Sequence, residues 1–182
     1  MKGQQYVQIG RTKIGPGFPV RLVGEVGINH NGNLQNAKDL IRQLAVSNWD
    51  FVKFQKRTIG EDGFYSKSFL EKERDSPWGI TQYDQKKGLE LTREDYIIVD
   101  EVCRIYYIPW FASPWDVPSV EFLEEFSPMC YKVASVIAYK EKVLDAIHAT
   151  GRPVIVSTGM TDIGKIDYLV EKFSDRDMVL MH

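Results

Sequence analysis

Cysteine is scarce in this 182-residue chain, which contains only Cys103 and Cys130. The two are far apart and form no CxxC pair, so the sequence indicates neither a disulfide framework nor a zinc motif. No stretch approaches the roughly 20 apolar residues of a membrane span, and the N-terminus lacks the apolar core of a signal peptide. The sequence therefore predicts a protein of the reducing cytoplasm, with no membrane partner.

The chain also lacks a large excess of positive or negative charge. The net charge is -2, with 43% hydrophobic and 26% charged residues, which is typical of an ordinary globular protein with no general attraction to nucleic acid. Any anion-binding site must therefore be local. No internal repeat, low-complexity tract or linker divides the chain, which favours one main domain.

Strand-like and helical segments alternate after residue 20, which predicts parallel βα units. The predicted strands lie at or near 21–27, 51–57, 108–112, 130–134, 153–157 and 178–182. The predicted helices cover 34–47, 92–106, 118–126, 140–149 and 163–173. Residues 57–91 are predicted to form a long irregular loop or lid. Residues 1–20 are predicted to be a β-hairpin-like leader that plugs the bottom of a barrel formed by residues 21–182.

Two charged side chains interrupt apolar strands near the start of the predicted sheet. Glu25 lies in the first strand and Lys53 in the second, and burying an unpaired ion is costly, so both call for a partner or a ligand. Alternation puts Phe51, Lys53 and Gln55 on one face of the second strand. That polar face is the candidate site, and the alternative is a simple salt bridge between Glu25 and Lys53.

Lys132 interrupts a later strand in the same way, and three serines lie at or just past strand ends. These are Ser113, Ser135 and Ser157. Lysines can neutralise the oxyanions of a small phosphorylated acid, and hydroxyls can donate to it without adding charge. The alternatives are lysines that extend into solvent and ordinary turn serines.

Several motifs, in order along the chain, resemble the N-terminal barrel of the sialic acid synthase family. They are Gly24-Glu-Val-Gly-Ile-Asn-His-Asn-Gly32, Val52-Lys-Phe-Gln55, Phe111-Ala-Ser-Pro-Trp-Asp116, Ser119-Val-Glu-Phe-Leu-Glu124, Tyr131-Lys-Val-Ala-Ser135 and Pro153-Val-Ile-Val-Ser-Thr-Gly-Met160. The resemblance implies a TIM-type (β/α)₈ barrel, incomplete here, with about six βα units present. It also implies condensation of phosphoenolpyruvate with an N-acylated aminohexose, such as N-acetylmannosamine, to a nonulosonate.

The resemblance also implies roles for the residues at matching positions. Lys53 and Lys132 would hold the charges of phosphoenolpyruvate, and Glu25 would act on the sugar side or in proton transfer. The substrate-binding residues implied are Gln55, Ser113, Ser135 and Ser157. Many members carry, two residues after the serine that matches Ser135, a glutamate that the family is thought to use to contact the sugar. Ile137 occupies that position in this chain, so the acceptor sugar is left open.

The family uses a divalent metal, Mn or Mg, whose two histidine ligands lie in later segments that this chain lacks. The resemblance therefore implies no metal ligand within the chain and a barrel short of two βα units. A complete eight-stranded barrel typically has about 250 residues. We expect a fragment of a longer enzyme, one half of a split enzyme completed by another chain, or a degenerate protein that binds without catalysis. The expected protein partner is a second copy in a homodimer or a complementing chain.

A rival function comes from Gly159-Met-Thr-Asp-Ile-Gly-Lys165, which has the spacing of a phosphate-binding P-loop but ends before Ile166 instead of serine or threonine. Nucleotide binding is the less favoured alternative. A second alternative is a non-catalytic phosphate-binding or interaction module.

Overall fold

A computed structural model describes residues 6–182 of the chain, so residues 1–5 of the predicted leader lie outside the described residues. Its centre is a parallel six-stranded sheet. The strands of this sheet are β3 (Val23–Gly27), β4 (Phe51–Lys56), β7 (Trp110–Pro114), β8 (Tyr131–Val133), β9 (Val154–Ser157) and β10 (Met178–Met181). Their spatial order is β10-β9-β8-β7-β4-β3. The predicted parallel α/β architecture is confirmed.

Helices connect successive strands of this sheet. The five longer ones are α1 (Leu34–Val46), α4 (Arg93–Ile105), α5 (Val117–Glu124), α6 (Glu141–Ala149) and α7 (Ile163–Lys172). Four of these begin at a side chain that accepts a hydrogen bond from the first helical turn, namely Asn33, Thr92, Asp116 and Asp162. Because such caps satisfy amide groups that have no partner within the helix, they define where each helix starts.

Each face of the sheet carries an apolar cluster, and the two clusters differ in size. The larger core lies between the sheet and the helices and includes Val52, Phe54, Ala112, Val133 and Val156. Alternate residues of the same strands point the other way, as strand geometry requires. The helices therefore cover one face only, and the opposite face is the inner face of a half-barrel.

A β-hairpin lies against the lower part of the inner face. It consists of β1 (Val7–Ile9) paired antiparallel with β2 (Thr12–Ile14). Ile9 is buried there in a small cluster with Phe51, Phe111 and Ile155. This hairpin closes the end of the inner face from which the strands start, where the sequence predicts a plug.

The segment between β4 and α4 corrects one prediction, because residues 57–91 are not wholly irregular. They contain two short helices, α2 (Lys67–Leu70) and α3 (Gln82–Gly88), and an antiparallel hairpin of β5 (Glu73–Ser76) and β6 (Gly79–Thr81). The short elements lack the long periodicity that identifies helices and strands in sequence. Their stability comes from caps such as the reciprocal Thr81–Asp84 capping box.

The sheet is open at both sides among the described residues. β3 pairs only with β4, and β10 pairs only with β9. Unpaired strand edges favour association with another strand. It stays a prediction that these six strands are part of an incomplete eight-stranded barrel. The division into a leader at 1–20 and a barrel at 21–182 also stays a prediction.

Candidate functional site

Charged and polar side chains lie above the apolar layer of the inner face. In the parallel register, Glu25 of β3 lies beside Lys53 of β4. The Lys53 ammonium donates to the Glu25 carboxylate at 2.5 Å. Lys53 is 8% exposed, whereas the Glu25 side chain is 63% exposed. The predicted pair therefore forms with its cation buried and its carboxylate open to solvent.

Lys132 lies on the same inner face and is 7% exposed. Its ammonium donates to the Val133 carbonyl at 3.0 Å and to Ser157 Oγ at 2.5 Å. No ion pair involves Lys132 among residues 6–182. Burial, followed by the nearby positive charge of Lys53, lowers the pKa of Lys132 to about 8, and Glu25 opposes this effect only in part. A bound anion would relieve the unfavourable charge.

The three serines lie at strand ends as the sequence predicts. Ser113 of β7 is 2% exposed, and its buried hydroxyl has no hydrogen-bond partner among residues 6–182. Ser157 ends β9 and accepts from Lys132. Ser135 begins a short 3₁₀ turn just after β8. A buried hydroxyl without a partner is rare, so Ser113 has a donor available to a ligand.

Gln55 completes the predicted set and lies beside Ser113 in the register of β4 and β7. Alternation places its side chain on the same face as that of Lys53. Ile137, at the position where the family often has glutamate, is fully buried in the core between sheet and helices. That side chain is therefore not available to a ligand on the inner face.

Sequence reasoning did not assign a role to Asp116, which joins two loops at the rim. Asp116 is 4% exposed, and its Oδ2 accepts from the backbone amides of Thr58 and Phe64 at 2.8 and 3.1 Å. Its Oδ1 accepts from the amide and hydroxyl of Ser119, so Asp116 caps the start of α5. An Asp followed by Val-Pro is a helix-start signal, but the bond to Thr58 has no sequence signal.

Arg57 and Glu90 form a second connection that sequence reasoning missed. Arg57 Nε donates to Glu90 Oε1 at 2.7 Å, and Glu90 Oε2 accepts from Lys56 at 3.2 Å. Both ends of the segment after β4 are thus fixed beside the site. The signal available in the sequence was a pair of adjacent cations, Lys56 and Arg57, at the end of a strand.

Two other residues that lie in the sequence motifs, His30 and Lys165, have structural partners. The buried His30 accepts from the Gly32 amide through Nδ1, and burial lowers its pKa. Lys165 of the P-loop-like segment pairs with Glu141 and lies 3.9 Å from the Tyr168 ring centroid. These contacts favour a structural role for both side chains. His30 stabilises the turn that leads into α1, and Lys165 forms a surface ion pair.

A divalent metal does not fit the described residues. Within residues 6–182 no group of three or more His, Cys, Asp or Glu side chains is placed to hold a metal ion. In the same part of the chain, no helix is both long and apolar enough to cross a membrane.

Comparison with known proteins identifies the family. A model described as the NeuB family matches residues 40–182. The chain is 31% identical over 153 residues to an N,N'-diacetyllegionaminic acid synthase of Legionella pneumophila, covering 82% of this chain and 42% of that protein. It is 31% identical over 149 residues to the N-acetylneuraminate-9-phosphate synthase of Homo sapiens, covering 81% of this chain and 41% of that protein.

A solved structure agrees in fold with the whole described chain. The N-acetylneuraminic acid synthetase of Leptospira borgpetersenii, in complex with citrate, superposes with a TM-score of 0.82 at 27% identity. The match covers 98% of this chain and 59% of that one. This chain spans less than half the length of the two sequence relatives above. The predicted resemblance is confirmed, and the chain belongs to the NeuB family of sialic acid synthases.

Proposed function

We propose that the chain forms the N-terminal part of a synthase that condenses phosphoenolpyruvate with an N-acylated aminohexose, such as N-acetylmannosamine, with release of phosphate. The observation that carries this proposal is the pair of buried lysines on the inner face. Lys53 and Lys132 share one carboxylate neighbour, Glu25, whose side chain is 63% exposed. The inner face therefore carries buried positive charge that a small polyanion would neutralise.

In this proposal the chain's own residues bind and orient phosphoenolpyruvate. Lys53 and Lys132 hold its carboxylate and phosphate as charge-assisted hydrogen-bond donors. The unpartnered Ser113 hydroxyl donates to the same anion, while Ser135 and Ser157 complete the set from neighbouring strand ends. Their fixed positions would hold the enol carbon toward the open end of the half-barrel.

The acceptor would lie on the exposed side of this anion, next to Glu25 and Gln55. The enol carbon forms a bond to the aldehyde carbon, and the aldehyde oxygen takes up a proton. Water then adds at the resulting cationic C2, and phosphate leaves. Glu25 would relay a proton, and its exposed carboxylate, hydrogen-bonded to the Lys53 ammonium, supports this role.

The complete active assembly would include residues outside this stretch. The open edges of β3 and β10 would receive further strands from a longer chain, a homodimer or a complementing chain. The names of the relatives differ in whether the product carries a phosphate, so they leave the acceptor open. We propose that the protein works in the cytoplasm.

Calorimetric titration of the 182-residue chain with phosphoenolpyruvate tests the proposal. The unmodified chain should bind it, and Ser113→Ala should weaken binding about tenfold, equivalent to about 1.4 kcal/mol. Since the Ser113 hydroxyl has no partner in the described part of the chain, this substitution should not lower thermal stability. Lys87→Ala, on the exposed surface of α3, is the matched control and should bind normally.

Absence of binding by the unmodified chain would contradict the proposal. It would favour the alternative of a non-catalytic module that acts through the open strand edges. Normal binding by Ser113→Ala would remove this serine from the site.

A further inference from the structure

We propose that the Lys132 amine forms a reversible Schiff base with 2-oxo acids. This is a second activity of the inner face, because phosphoenolpyruvate has no ketone carbon and the proposed function uses only the charge of this lysine. Two features of the inner face carry the inference, namely the hydrogen bonds of Lys132 and the anion-binding groups beside it.

The hydrogen bonds of Lys132 suit a neutral amine better than an ammonium. Among residues 6–182, its Nζ has two acceptors, the Val133 carbonyl at 3.0 Å and Ser157 Oγ at 2.5 Å. An ammonium has three N–H donors, whereas a neutral amine has two and a lone pair. Both N–H groups of the neutral amine are therefore hydrogen-bonded, and its lone pair is left to attack a carbon atom.

The charges around Lys132 also favour the neutral amine. Burial, and then the positive charge of Lys53 on β4, lower the pKa of Lys132 to about 8, and Glu25 on β3 opposes this only in part. The neighbouring strands β7 and β9 present the neutral side chains of Ser113 and Ser157. At pH 7 about one Lys132 side chain in ten is then neutral, against about one in 3,000 for an ordinary lysine. A neutral amine is the form that acts as a nucleophile.

The groups beside Lys132 select a ketone that bears a carboxylate. Ala112 pairs with Tyr131 in the register of β7 and β8, so the next residue, Ser113, lies beside Lys132. The Ser113 hydroxyl has no partner in the described part of the chain, and Lys53 supplies a buried positive charge. Both would donate to the carboxylate of a 2-oxo acid whose ketone carbon meets Lys132 Nζ. The product of the proposed condensation has a ketone at C2 beside its carboxylate, so it belongs to the same class.

The covalent step begins at the nitrogen lone pair. Nζ forms a bond to the ketone carbon, and one proton moves from Nζ to the ketone oxygen, which gives a carbinolamine. Ser157, already hydrogen-bonded to Nζ, would relay this proton. The carbinolamine hydroxyl then takes up a proton from solvent and leaves as water, while the nitrogen lone pair forms the C=N bond of the protonated imine. Addition of water reverses the sequence and restores the free lysine.

Reductive trapping with pyruvate tests the inference. The 182-residue chain is incubated with pyruvate and cyanoborohydride, which reduces the imine to a stable secondary amine, and the adduct is located by peptide mass mapping. We expect one carboxyethyl group per chain, on Lys132, formed at pH 7 at least about tenfold faster than on any other lysine. From pH 8 to pH 9 the labelling of Lys132 should rise by less than about twofold, whereas that of the exposed Lys87 should rise about tenfold.

The controls separate a reactive lysine from a merely buried one. Lys53 is 8% exposed against 7% for Lys132, but its ammonium is paired with Glu25, so it should stay unlabelled. Acetone, which has a methyl group in place of the carboxylate, should label Lys132 at least about tenfold more slowly than pyruvate. Lys132→Met should lose the fast adduct and keep the slow labelling of Lys87.

The outcomes distinguish this inference from the proposed function. Phosphoenolpyruvate binding by a chain that pyruvate labels no faster at Lys132 than at Lys87 overturns the Schiff base and leaves the proposed function standing. Equal labelling by acetone and pyruvate overturns the selection of 2-oxo acids. Added phosphoenolpyruvate should slow the labelling, because both ligands need Lys53 and Lys132. Fast labelling of Lys132 that phosphoenolpyruvate does not slow supports the Schiff base and contradicts the proposed function.

Discussion

Replacing Lys132 by methionine should stabilise the fold at neutral pH while removing phosphoenolpyruvate binding. The pKa of Lys132 falls from the ordinary lysine value of 10.5 to about 8, because burial and then the charge of Lys53 oppose its ammonium. Each unit of pKa difference corresponds to about 1.36 kcal/mol, so holding this charge at pH 7 destabilises the folded state by roughly 3 kcal/mol.

The substitution also removes two hydrogen bonds, to the Val133 carbonyl and Ser157 Oγ. At about 1 kcal/mol each, their loss offsets most of the gain. Lys132→Met should therefore be about 1 kcal/mol more stable than the unmodified chain at pH 7.

The pH dependence gives the decisive measurement. Because the folded-state pKa of Lys132 is depressed, the unfolded chain binds more protons between about pH 8 and pH 10.5, and stability rises with pH across that window. By pH 10 the buried Lys132 charge no longer destabilises the unmodified chain by more than a fraction of the value at pH 7, whereas the variant still lacks the two hydrogen bonds. Lys132→Met should then be about 1 kcal/mol less stable than the unmodified chain. Urea unfolding at both pH values measures this reversal of sign.

Lys87→Met, at an exposed position of α3, is the control and should show no such reversal. If the stability difference between Lys132→Met and the unmodified chain stayed constant from pH 7 to pH 10, the reasoning about Lys132 would be refuted. Calorimetry with phosphoenolpyruvate on the same variant should show no binding.

Three further predictions concern stability and reactivity. Gly32→Ala should destabilise by at least about 3 kcal/mol in urea unfolding, because φ is +67° and an added Cβ would lie 1.9 Å from the Gly88 carbonyl oxygen; normal stability would refute that close approach. Asp116→Ala should cost about 3 kcal/mol by removing the acceptor of two loop amides and the α5 cap, and limited proteolysis should then cut residues 58–64 faster; unchanged proteolysis would contradict the role of this aspartate. Burial raises the pKa of Cys103 and Cys130 to about 12, so a thiol reagent at pH 8 should modify them only on unfolding, and rapid labelling of the folded chain would contradict their burial.

Local patterns in the sequence determined much of the fold. The helices predicted at 34–47 and 92–106 are confirmed to within one or two residues, because helical periodicity is a local property of the sequence. Alternation along β4 identified Lys53 and Gln55 as one face, and charges in apolar strands identified Lys53 and Lys132 as candidates. These features depend on neighbours within a few residues, so a single sequence can display them.

Only the tertiary structure decided which distant groups meet. Among the residues from 6 onward, it pairs Lys132 with Ser157 and not with a carboxylate, and it leaves the Ser113 hydroxyl without a partner. It also brings Asp116 to Thr58 and divides residues 57–91 into short elements with their own caps. Such contacts join residues far apart in the chain, and the free energy that favours them comes from burial and hydrogen bonds across neighbouring strand ends. No local pattern in the sequence encodes those distances.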